Sequence, residues 1–383
     1  MDGTIHVTGN PATRSTPINR QHSIISRLSH SNTIIIPIAA GKEKNRPIRT
    51  NSPFQLPISS IFQTLEESHR QVVLNRYCKE NQWGILLTLP STEQLHQEAA
   101  RLDRGDLTLS ARLLASGQVA AANTALEAVD AIAGGAEAMA NTIRSGGVIH
   151  YIAAGSSGLM AAADAQELGG TFSIPASQLR IHMAGGLPTG VEMPGAAEDE
   201  DEGLRNDLQD LQSKDTVIAV SASGSTPYTL AAREIAQKKG ATVIGIANNA
   251  QSPLLEGADI PILLATPPEL ISGSTRMGAG TAQKIALNML SSLMALELGH
   301  VYRGMMVNLR ADNDKLRARA AGIVTRIAEV DTGTAQSALE TAEGEVKPAI
   351  LIAARGLSLA EATEQLNATN GIVSTALKIQ NNC

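Results

Sequence analysis

The sequence predicts an α/β protein in which helices cover both faces of a parallel sheet, followed by a small C-terminal helical domain. Three observations predict this fold. From residue 91 onward, apolar β-rich runs alternate with segments of helical periodicity. Two of these runs lead into loops of Gly and Ser and then into a helix, the order expected of a parallel sheet. Apolar residues make up 43% of the chain but aromatic residues only 2%, so the core is built mainly from Ala, Ile, Leu and Val.

The predicted elements follow one another in a regular order. The patterns predict helices at 93–101, 107–117, 119–144, 157–168, 226–239 and 275–299, and strands at 147–153, 179–184, 215–220, 242–247 and 259–264. An acidic, polar segment at 195–213 separates the second strand from the third. After residue 304 the pattern predicts helices alone, at 312–329, 333–342, 347–353 and 358–366. We therefore divide the chain into an N-terminal region (1–90), a sheet-containing domain with N-terminal helices (91–304) and a C-terminal helical domain (305–383).

Residues 1–90 differ in composition from the rest of the chain. They contain ten Lys or Arg against five Asp or Glu, together with Trp83 and two of the three Phe. Because the whole chain has a net charge of −6 and this region contributes +5, residues 91–383 carry a net charge of −11. Little helical periodicity is visible before Ile61. Such a basic leader is read as a disordered segment, as an organellar transit peptide or as the result of a start codon placed too far upstream. We predict that the native fold begins close to Ser91.

Composition also argues against several classes of function. The two cysteines, Cys78 and Cys383, indicate neither a disulfide framework nor a cysteine metal site, so a cytoplasmic location is expected. The net charge of −6 argues against a nucleic-acid partner, which requires a basic face. No apolar run is long enough to cross a membrane. The histidines His150, His182 and His300 show no ligand spacing, so no metal is expected.

Two hydroxyl-rich loops are the strongest functional signal in the chain. The first follows the strand at 147–153 and carries Ser156 and Ser157; the second follows the strand at 215–220 and carries Ser221, Ser223, Ser225 and Thr226. Gly lets the backbone approach an anion, N–H groups at a helix start face it, and hydroxyls donate further hydrogen bonds. Neither loop has the Lys of a P-loop or G-x-G-x-x-G spacing. The pair predicts a neutral cradle for a sugar phosphate; the alternative is that these residues are helix caps and turn formers.

Two carboxylates and one basic string are the candidates for chemistry. Glu167 closes the helix after the first loop, and Glu198 lies in the most acidic stretch of the chain. Paired carboxyl groups can divide acid and base work if their environments separate their pKa values. The alternative for each is a solvated surface charge. In the string at 273–284, Ser274 and Thr275 are predicted to cap the following helix while Arg276 faces an anion, the alternative being a cap with a surface Arg.

The hydroxyl loops resemble those of the sugar-isomerase (SIS) domain, and longer strings resemble one family that has this domain, the N-acetylmuramic acid 6-phosphate etherases. The longer strings are Gly195-Ala-Ala-Glu-Asp199, Gly273-Ser-Thr-Arg-Met277, Ala279-Gly-Thr-Ala-Gln-Lys284, Leu287-Asn-Met-Leu290 and Met306-Val-Asn308. The likeness runs from about Thr92 to the C-terminus. Taken together the strings are specific, whereas the loops alone indicate only the SIS superfamily. The predicted sheet is accordingly of the SIS type.

The resemblance implies a lyase of amino-sugar catabolism and peptidoglycan recycling. Family members cleave the D-lactyl ether of N-acetylmuramic acid 6-phosphate to N-acetylglucosamine 6-phosphate and D-lactate, with no metal or organic cofactor, and a cytoplasmic homodimer is implied. By position, Glu198 matches the carboxylate that takes the C2 proton of the ring-opened sugar. Glu167 matches the acid that protonates the departing lactate and then helps water to add. The hydroxyls that hold the phosphate match Ser157, Ser221, Ser223 and Thr226.

The chain departs from the family pattern at three usually cationic positions. Two arginines of the pattern are replaced by Leu159 and Ser225, a lysine by Gly278, and Cys-Pro-Pro after Glu167 by Leu-Gly-Gly. Since SIS domains also serve as regulatory binding modules, the missing cations favour a non-catalytic sugar-phosphate sensor as an alternative. Retention of both glutamates favours the enzyme. A third alternative, an aldose–ketose sugar-phosphate isomerase, is opposed by the extended etherase strings.

Overall fold

The computed structural model describes residues 33–38, 73–79, 82–193, 202–309, 311 and 313–379. A separate N-terminal unit contains β1 (Thr33–Ile38), β2 (Val73–Lys79) and β3 (Gln82–Thr88). In this antiparallel sheet β3 lies between β1 and β2. These strands were not predicted, although their Ile, Val, Thr and aromatic residues are typical of strands. The rest of 1–88 lies outside the described residues, so the leader character of 1–90 stays a prediction.

The larger unit is built around a five-stranded sheet in which every neighbouring pair of strands is parallel. Its strands are β4 (Ile149–Ala153), β5 (Leu179–Met183), β6 (Thr216–Ser221), β7 (Thr242–Ala247) and β8 (Ile260–Leu263). Every residue of β4 and β6 is buried, which explains why these runs are continuously apolar. The strand order is β5-β4-β6-β7-β8, so the chain reverses its direction across the sheet between β4 and β6. Open parallel sheets bind ligands at such a switch point, outside the carboxyl ends of the strands.

Helices cover both faces of this sheet. They are α1 (Leu107–Glu127), α2 (Val129–Arg144), α3 (Gly155–Phe172), α4 (Glu202–Asp207), α5 (Pro227–Lys239), α6 (Pro253–Glu256) and α7 (Gly278–Glu297). On one face Ile132 of α2, Leu168 of α3 and Leu290 of α7 share a core with the strands. On the other face Tyr228 of α5 and Leu254 of α6 share a second core with them. The sheet is therefore the middle of three layers, and α1 packs outside it against α7.

The C-terminal region is helical and has a core of its own, to which Val324 and Ile350 contribute. A short antiparallel pair, β9 (Val301–Tyr302) and β10 (Met305–Met306), leads into it. Its helices are α8 (Asp314–Ala328), α9 (Thr332–Thr341), α10 (Val346–Arg355), α11 (Leu359–Ala368) and α12 (Val373–Ala376). The side chains of Asn313, Asp331 and Ser358 accept a backbone hydrogen bond at the starts of α8, α9 and α11. Such caps satisfy N–H groups that a helix leaves unpaired.

The predicted parallel sheet and C-terminal helices are confirmed, while three predicted boundaries are wrong. Instead of a helix at 93–101 the chain forms two short 3-10 turns, Ser91–Glu93 and Ala99–Arg101, because hydrogen bonds to Asn249 hold the start of this segment. The break between α1 and α2 lies at Ala128 instead of residue 118. The first hydroxyl loop is itself the first turn of α3, which begins at Gly155. In the described ranges no helix has the length and apolarity to cross a membrane.

Candidate functional site

The ends of β4 and β6 bring the two predicted hydroxyl loops to the same edge of the sheet. These strands are parallel neighbours, and Ala153 at the end of β4 pairs with Val220, one residue before Ser221. The loops therefore flank the switch point of the sheet. This is the place where the fold is expected to hold a small ligand.

The first loop is shaped by two glycines at the start of α3. Gly155 has φ 53°, which favours a residue without a side chain. A Cβ on Gly158 would lie 2.8 Å from Cγ of Met183 in β5, so a larger residue would push the helix off the sheet. Ser157 is buried and Ser156 is half-buried, and no described side chain caps the helix. The N–H groups of the first turn therefore remain for an anion.

The second loop holds its four predicted hydroxyl residues in one hydrogen-bonded cluster. Ser221 Oγ lies 2.7 Å from Thr226 Oγ1 and 3.3 Å from Ser223 Oγ, and it accepts a 3.0 Å hydrogen bond from the Gly224 N–H. The Ser225 hydroxyl donates to Ser223 Oγ over 3.0 Å. Gly224 has φ 70°, and a Cβ there would collide with Ser252. The hydroxyls are therefore organised before any ligand arrives.

Asn249 supports this cluster and was missed by the sequence analysis. Its Nδ2 donates to the backbone oxygen of Ser223 over 3.2 Å and to Thr92 Oγ1 over 3.1 Å. Its Oδ1 accepts a hydrogen bond from the Ser91 hydroxyl over 2.9 Å. Asn249 follows β7 and so lies at the carboxyl edge of the sheet, and this position is the sequence signal from which its role could have been predicted. The residue connects the segment at 91–92 to the second hydroxyl loop.

This contact defines where the chain can be shortened. We expect a chain that begins at Leu89 to keep the melting temperature of the full chain, because Leu89 and Pro90 supply the carbonyls that Gln94 and Glu93 bind. A chain that begins at Gln94 is the matched control. It leaves Asn249 without two partners, a loss of about 1–3 kcal/mol, and we expect it to melt several degrees lower in calorimetry. Equal melting of the two shortened chains would contradict this role of Asn249.

The third predicted string lies at the start of α7, and its predicted capping is wrong. The Glu269 carboxylate, which is buried, accepts the N–H groups of Gly278 and Ala279 over 3.0 and 2.9 Å. Ser274 and Thr275 make no cap, because a carboxylate satisfies the positive helix start better than a hydroxyl. Arg276 is exposed. Within the described ranges, no hydrogen bond joins Ser274 or Arg276 to either hydroxyl loop.

The structure places one of the two predicted catalytic carboxylates. Glu167 lies on an exposed position of α3, in the turn before the C-terminal end of the helix. Glu198 lies outside the described residues, so the distance between the two carboxylates is not defined. Glu167 is ten residues after Ser157, or about 15 Å along the helix axis. That separation exceeds the span from the phosphate to the C3 oxygen, on which Glu167 is predicted to act, in one six-carbon sugar.

A buried carboxylate fixes the helix that carries Glu167. Asp164, one turn earlier in α3, accepts hydrogen bonds from the Tyr151 hydroxyl (3.0 Å), Asn288 Nδ2 (2.8 Å) and the Ser291 hydroxyl (2.9 Å). Burial raises the pKa of Asp164, and the three donors partly offset this. The cluster ties α3 to β4 and α7. In the sequence, Asn288 was noted only as part of the string at 287–290, and neither Asp164 nor Asn288 was assigned a role.

A second polar cluster lies beside β4 and β5 and includes none of the hydroxyl-loop residues. The rings of His150 and His182 stack with centroids 5.3 Å apart, and their Nδ1 and Nε2 atoms are 3.1 Å apart. Oδ2 of Asp215 lies 4.0 Å from Nε2 of His150, and Oδ2 of Asp207 lies 3.6 Å from Nδ1 of His182. Burial, with a smaller contribution from His182, lowers the pKa of His150 to about 4. Among the described residues no group of three or more acidic, His or Cys side chains is arranged to bind a metal.

The pair makes the fold sensitive to acid. His150 is neutral in the folded protein down to pH 4 but takes up a proton below about pH 6.5 when unfolded, so its contribution to stability is complete above pH 6.5 and is lost as pH falls. By pH 5 the loss is about 2 kcal/mol. We expect His150→Phe, which keeps a stacked ring, to reduce the difference in unfolding free energy between pH 7.5 and pH 5, measured with urea. An unchanged difference would contradict the assignment.

Known proteins similar to this chain cover most of its length. Residues 117–248 match the family described as SIS domain. A protein of Deinococcus radiodurans named N-acetylmuramic acid 6-phosphate etherase is 39% identical over 282 residues, which cover 73% of this chain and 92% of that protein. Proteins of the same name from Edwardsiella ictaluri and Streptomyces avermitilis are 41% and 38% identical. They align over 66% and 75% of this chain and over 82% and 93% of their own lengths.

Proposed function

The chain belongs to the N-acetylmuramic acid 6-phosphate etherase family, and on this premise we propose that it cleaves the D-lactyl ether of N-acetylmuramic acid 6-phosphate. The products are N-acetylglucosamine 6-phosphate and D-lactate, which makes the protein a carbon–oxygen lyase of amino-sugar metabolism. The similarity does not favour the sugar-phosphate sensor or the isomerase. The observation that carries the proposal is the meeting of two hydroxyl loops at the switch point of the sheet.

We propose that these loops hold the sugar phosphate with hydroxyl and N–H groups. The second loop supplies hydroxyl groups, with Ser221 Oγ 3.3 Å from that of Ser223 and 2.7 Å from that of Thr226, and the first turn of α3 supplies N–H groups beside Ser157. The absence of arginine at Leu159 and Ser225 is compatible with this cradle, because helix starts and hydroxyls bind phosphate without cationic side chains. We propose that the substrate makes further contacts with Ser156, Ser225, Ser274 and Arg276.

We propose that the two glutamates divide the proton transfers of an elimination. The open-chain aldehyde acidifies the C2 hydrogen, which the Glu198 carboxylate removes. The bond from C3 to the lactyl oxygen breaks, its electron pair leaves with that oxygen, and Glu167 donates a proton to it. Water then adds at C3 with Glu167 as base, and C2 regains a proton. This route needs acid and base groups alone.

We propose that two copies of the chain form the working enzyme in the cytoplasm. Glu167 lies about 15 Å along α3 from the Ser157 cradle of the same chain, so a second copy is the natural source of the acid at each cradle. Glu167 is exposed, as an interface residue would be in a single copy. Leu107, Val119 and Leu126 of α1 are apolar and 62–72% exposed. Sedimentation velocity is expected to give the mass of two chains, and a single-chain mass at assay concentrations would contradict the proposal.

The direct test is turnover of the proposed substrate. The purified full chain is incubated with N-acetylmuramic acid 6-phosphate, and D-lactate and N-acetylglucosamine 6-phosphate are quantified in equal amounts. The unphosphorylated sugar is the control and should react poorly, because the cradle then has no anion to hold. Binding of the substrate without lactate release would favour the sensor instead.

A further inference from the structure

A cavity lies between the end of α3 and the C-terminal helices. Its volume is about 760 Å³, within the range of roughly 300–1,000 Å³ that is usual for small-molecule sites. Its wall contains polar groups from Ser173, Asn308, Lys347, Thr363 and Asn367. None of the hydroxyl-loop residues lines it. The cavity is therefore distinct from the proposed phosphate cradle.

Lys347 gives this cavity an uncompensated positive charge. Its side chain is only 8% exposed, and its ammonium makes no hydrogen bond or ion pair with any described residue. The Nζ atom lies near the backbone of Gly371, 3.2 Å from the position that a Cβ there would take. Burial lowers the pKa of Lys347 to about 8, so the group is still largely protonated at neutral pH. The Lys347 ammonium is not among the fully buried side-chain atoms without a partner, so it keeps some contact with solvent. A bound anion would replace that water with a charge-assisted hydrogen bond.

The start of α10 adds a second feature that suits an anion. Val346, Lys347 and Pro348 form its first turn and line the cavity. The preceding Glu345 makes no side-chain cap, and the N–H groups of Val346 and Lys347 find no acceptor among the described residues. The helix is ten residues long, so its start carries the usual positive end of a helix dipole. The ammonium and these N–H groups lie on the same turn.

The other polar groups of the cavity wall indicate which chemical groups the rest of the ligand carries. Glu343 and Glu345 also line the cavity, are exposed and do not pair with Lys347. Carboxylates accept hydrogen bonds from hydroxyls, as do the amide oxygens of Asn308 and Asn367. We propose that this cavity binds a small polyhydroxylated acid, with its carboxylate or phosphate on Lys347 and the start of α10 and its hydroxyls on the acidic and amide groups.

Occupation of this site would act on the helix that carries Glu167. Gly169 and Ser173, at the end of α3, line the cavity, and the Ser173 hydroxyl donates to the backbone oxygen of Asn308 over 2.7 Å. Asn308 Nδ2 in turn donates to the backbone oxygen of Phe172 over 2.9 Å. A ligand held by Lys347 and Asn308 therefore stabilises the last turn of α3. Binding to this cavity is measured without turnover, so it is tested independently of the proposed reaction.

The experiment is a calorimetric titration of the full chain with two probes, gluconate for a carboxylate and glucose 6-phosphate for a phosphate. Because the hydroxyl loops also suit a phosphate, Ser223→Ala is present in every protein compared. Lys347→Met keeps the length of the side chain and removes its charge, and Lys378→Met on the same domain is the exposed control. We expect Lys347→Met to weaken at least one probe by about tenfold or more, the value of one charge-assisted hydrogen bond, and Lys378→Met to leave both unchanged.

A second variant keeps the test valid if Lys347→Met does not fold. Thr363→Trp places a large side chain at an exposed position of the cavity wall, and we expect it to weaken the same probe by a similar factor because it fills the space that the probe needs. The probe that loses affinity identifies the acid group that the site prefers. Equal affinity of the Lys347 and Lys378 variants for both probes, or no binding of either probe at millimolar concentration, would overturn the proposal.

Discussion

Replacing either glutamate with glutamine is expected to lower the rate of D-lactate release by about a hundredfold or more while leaving the fold intact. Glutamine keeps the size of the side chain but transfers no proton. Glu167 is exposed, so its replacement leaves no buried group unpaired. The measurement is the initial rate of lactate formation from N-acetylmuramic acid 6-phosphate, with the melting temperature as evidence of folding.

Glu364→Gln is the matched control, since Glu364 is an exposed glutamate on α11 that belongs to neither proposed site. It should retain the full rate. Near-normal lactate release from the Glu167 or Glu198 variant would remove that residue from the mechanism. Loss of activity accompanied by a large fall in melting temperature would point to damage of the fold instead of the chemistry.

The largest effect on stability is expected at Asp164. Asp164→Ala removes the acceptor of three hydrogen bonds, from Tyr151, Asn288 and Ser291. An unpaired buried donor costs about 1–3 kcal/mol, so a loss of roughly 3 kcal/mol or more in unfolding free energy is expected. Urea denaturation at pH 7.5 measures it. The rate should fall as well, because α3 carries both Ser157 and Glu167.

Asp164→Asn is the conservative variant and should lose less, because its amide oxygen still accepts a hydrogen bond. Asp210→Ala, at an exposed position, should change stability by no more than about 0.5 kcal/mol. Equal stability of the Asp164→Ala and Asp210→Ala proteins would show that the cluster does not fix α3.

Local patterns were enough to predict the sheet and most of its helices. The fully buried strands β4 and β6 appear as apolar runs, and the hydroxyl residues that follow them mark the edge where we propose that a ligand binds. The two short turns at 91–101 escaped prediction because their path depends on Asn249, more than 140 residues away. The cap of α7 was misassigned for the same reason: nearby Ser and Thr were available, but a buried carboxylate occupies the position.

Residues that act through burial gave little sequence signal of their role, which for Asn249 was only its position after β7. Asp164, Asn249 and Lys347 look like ordinary polar residues of a surface helix or turn until their surroundings are known. Their importance comes from the surroundings, since a buried polar group must find a partner or bear the cost of lacking one. The family resemblance pointed to Glu167 and Glu198, but it could not predict which helix contacts hold Glu167 in place.

The roles proposed for the two glutamates differ most directly in which of them removes the C2 proton. The measurement is incorporation of deuterium at C2 of the sugar during incubation in heavy water, followed by mass spectrometry of remaining substrate and product. Glu167→Gln should still exchange the C2 hydrogen of the substrate while releasing little lactate, because the base is intact and the leaving group lacks its acid. Glu198→Gln should incorporate no deuterium. Exchange at the unaltered protein's rate in Glu198→Gln would contradict the assignment of the two roles.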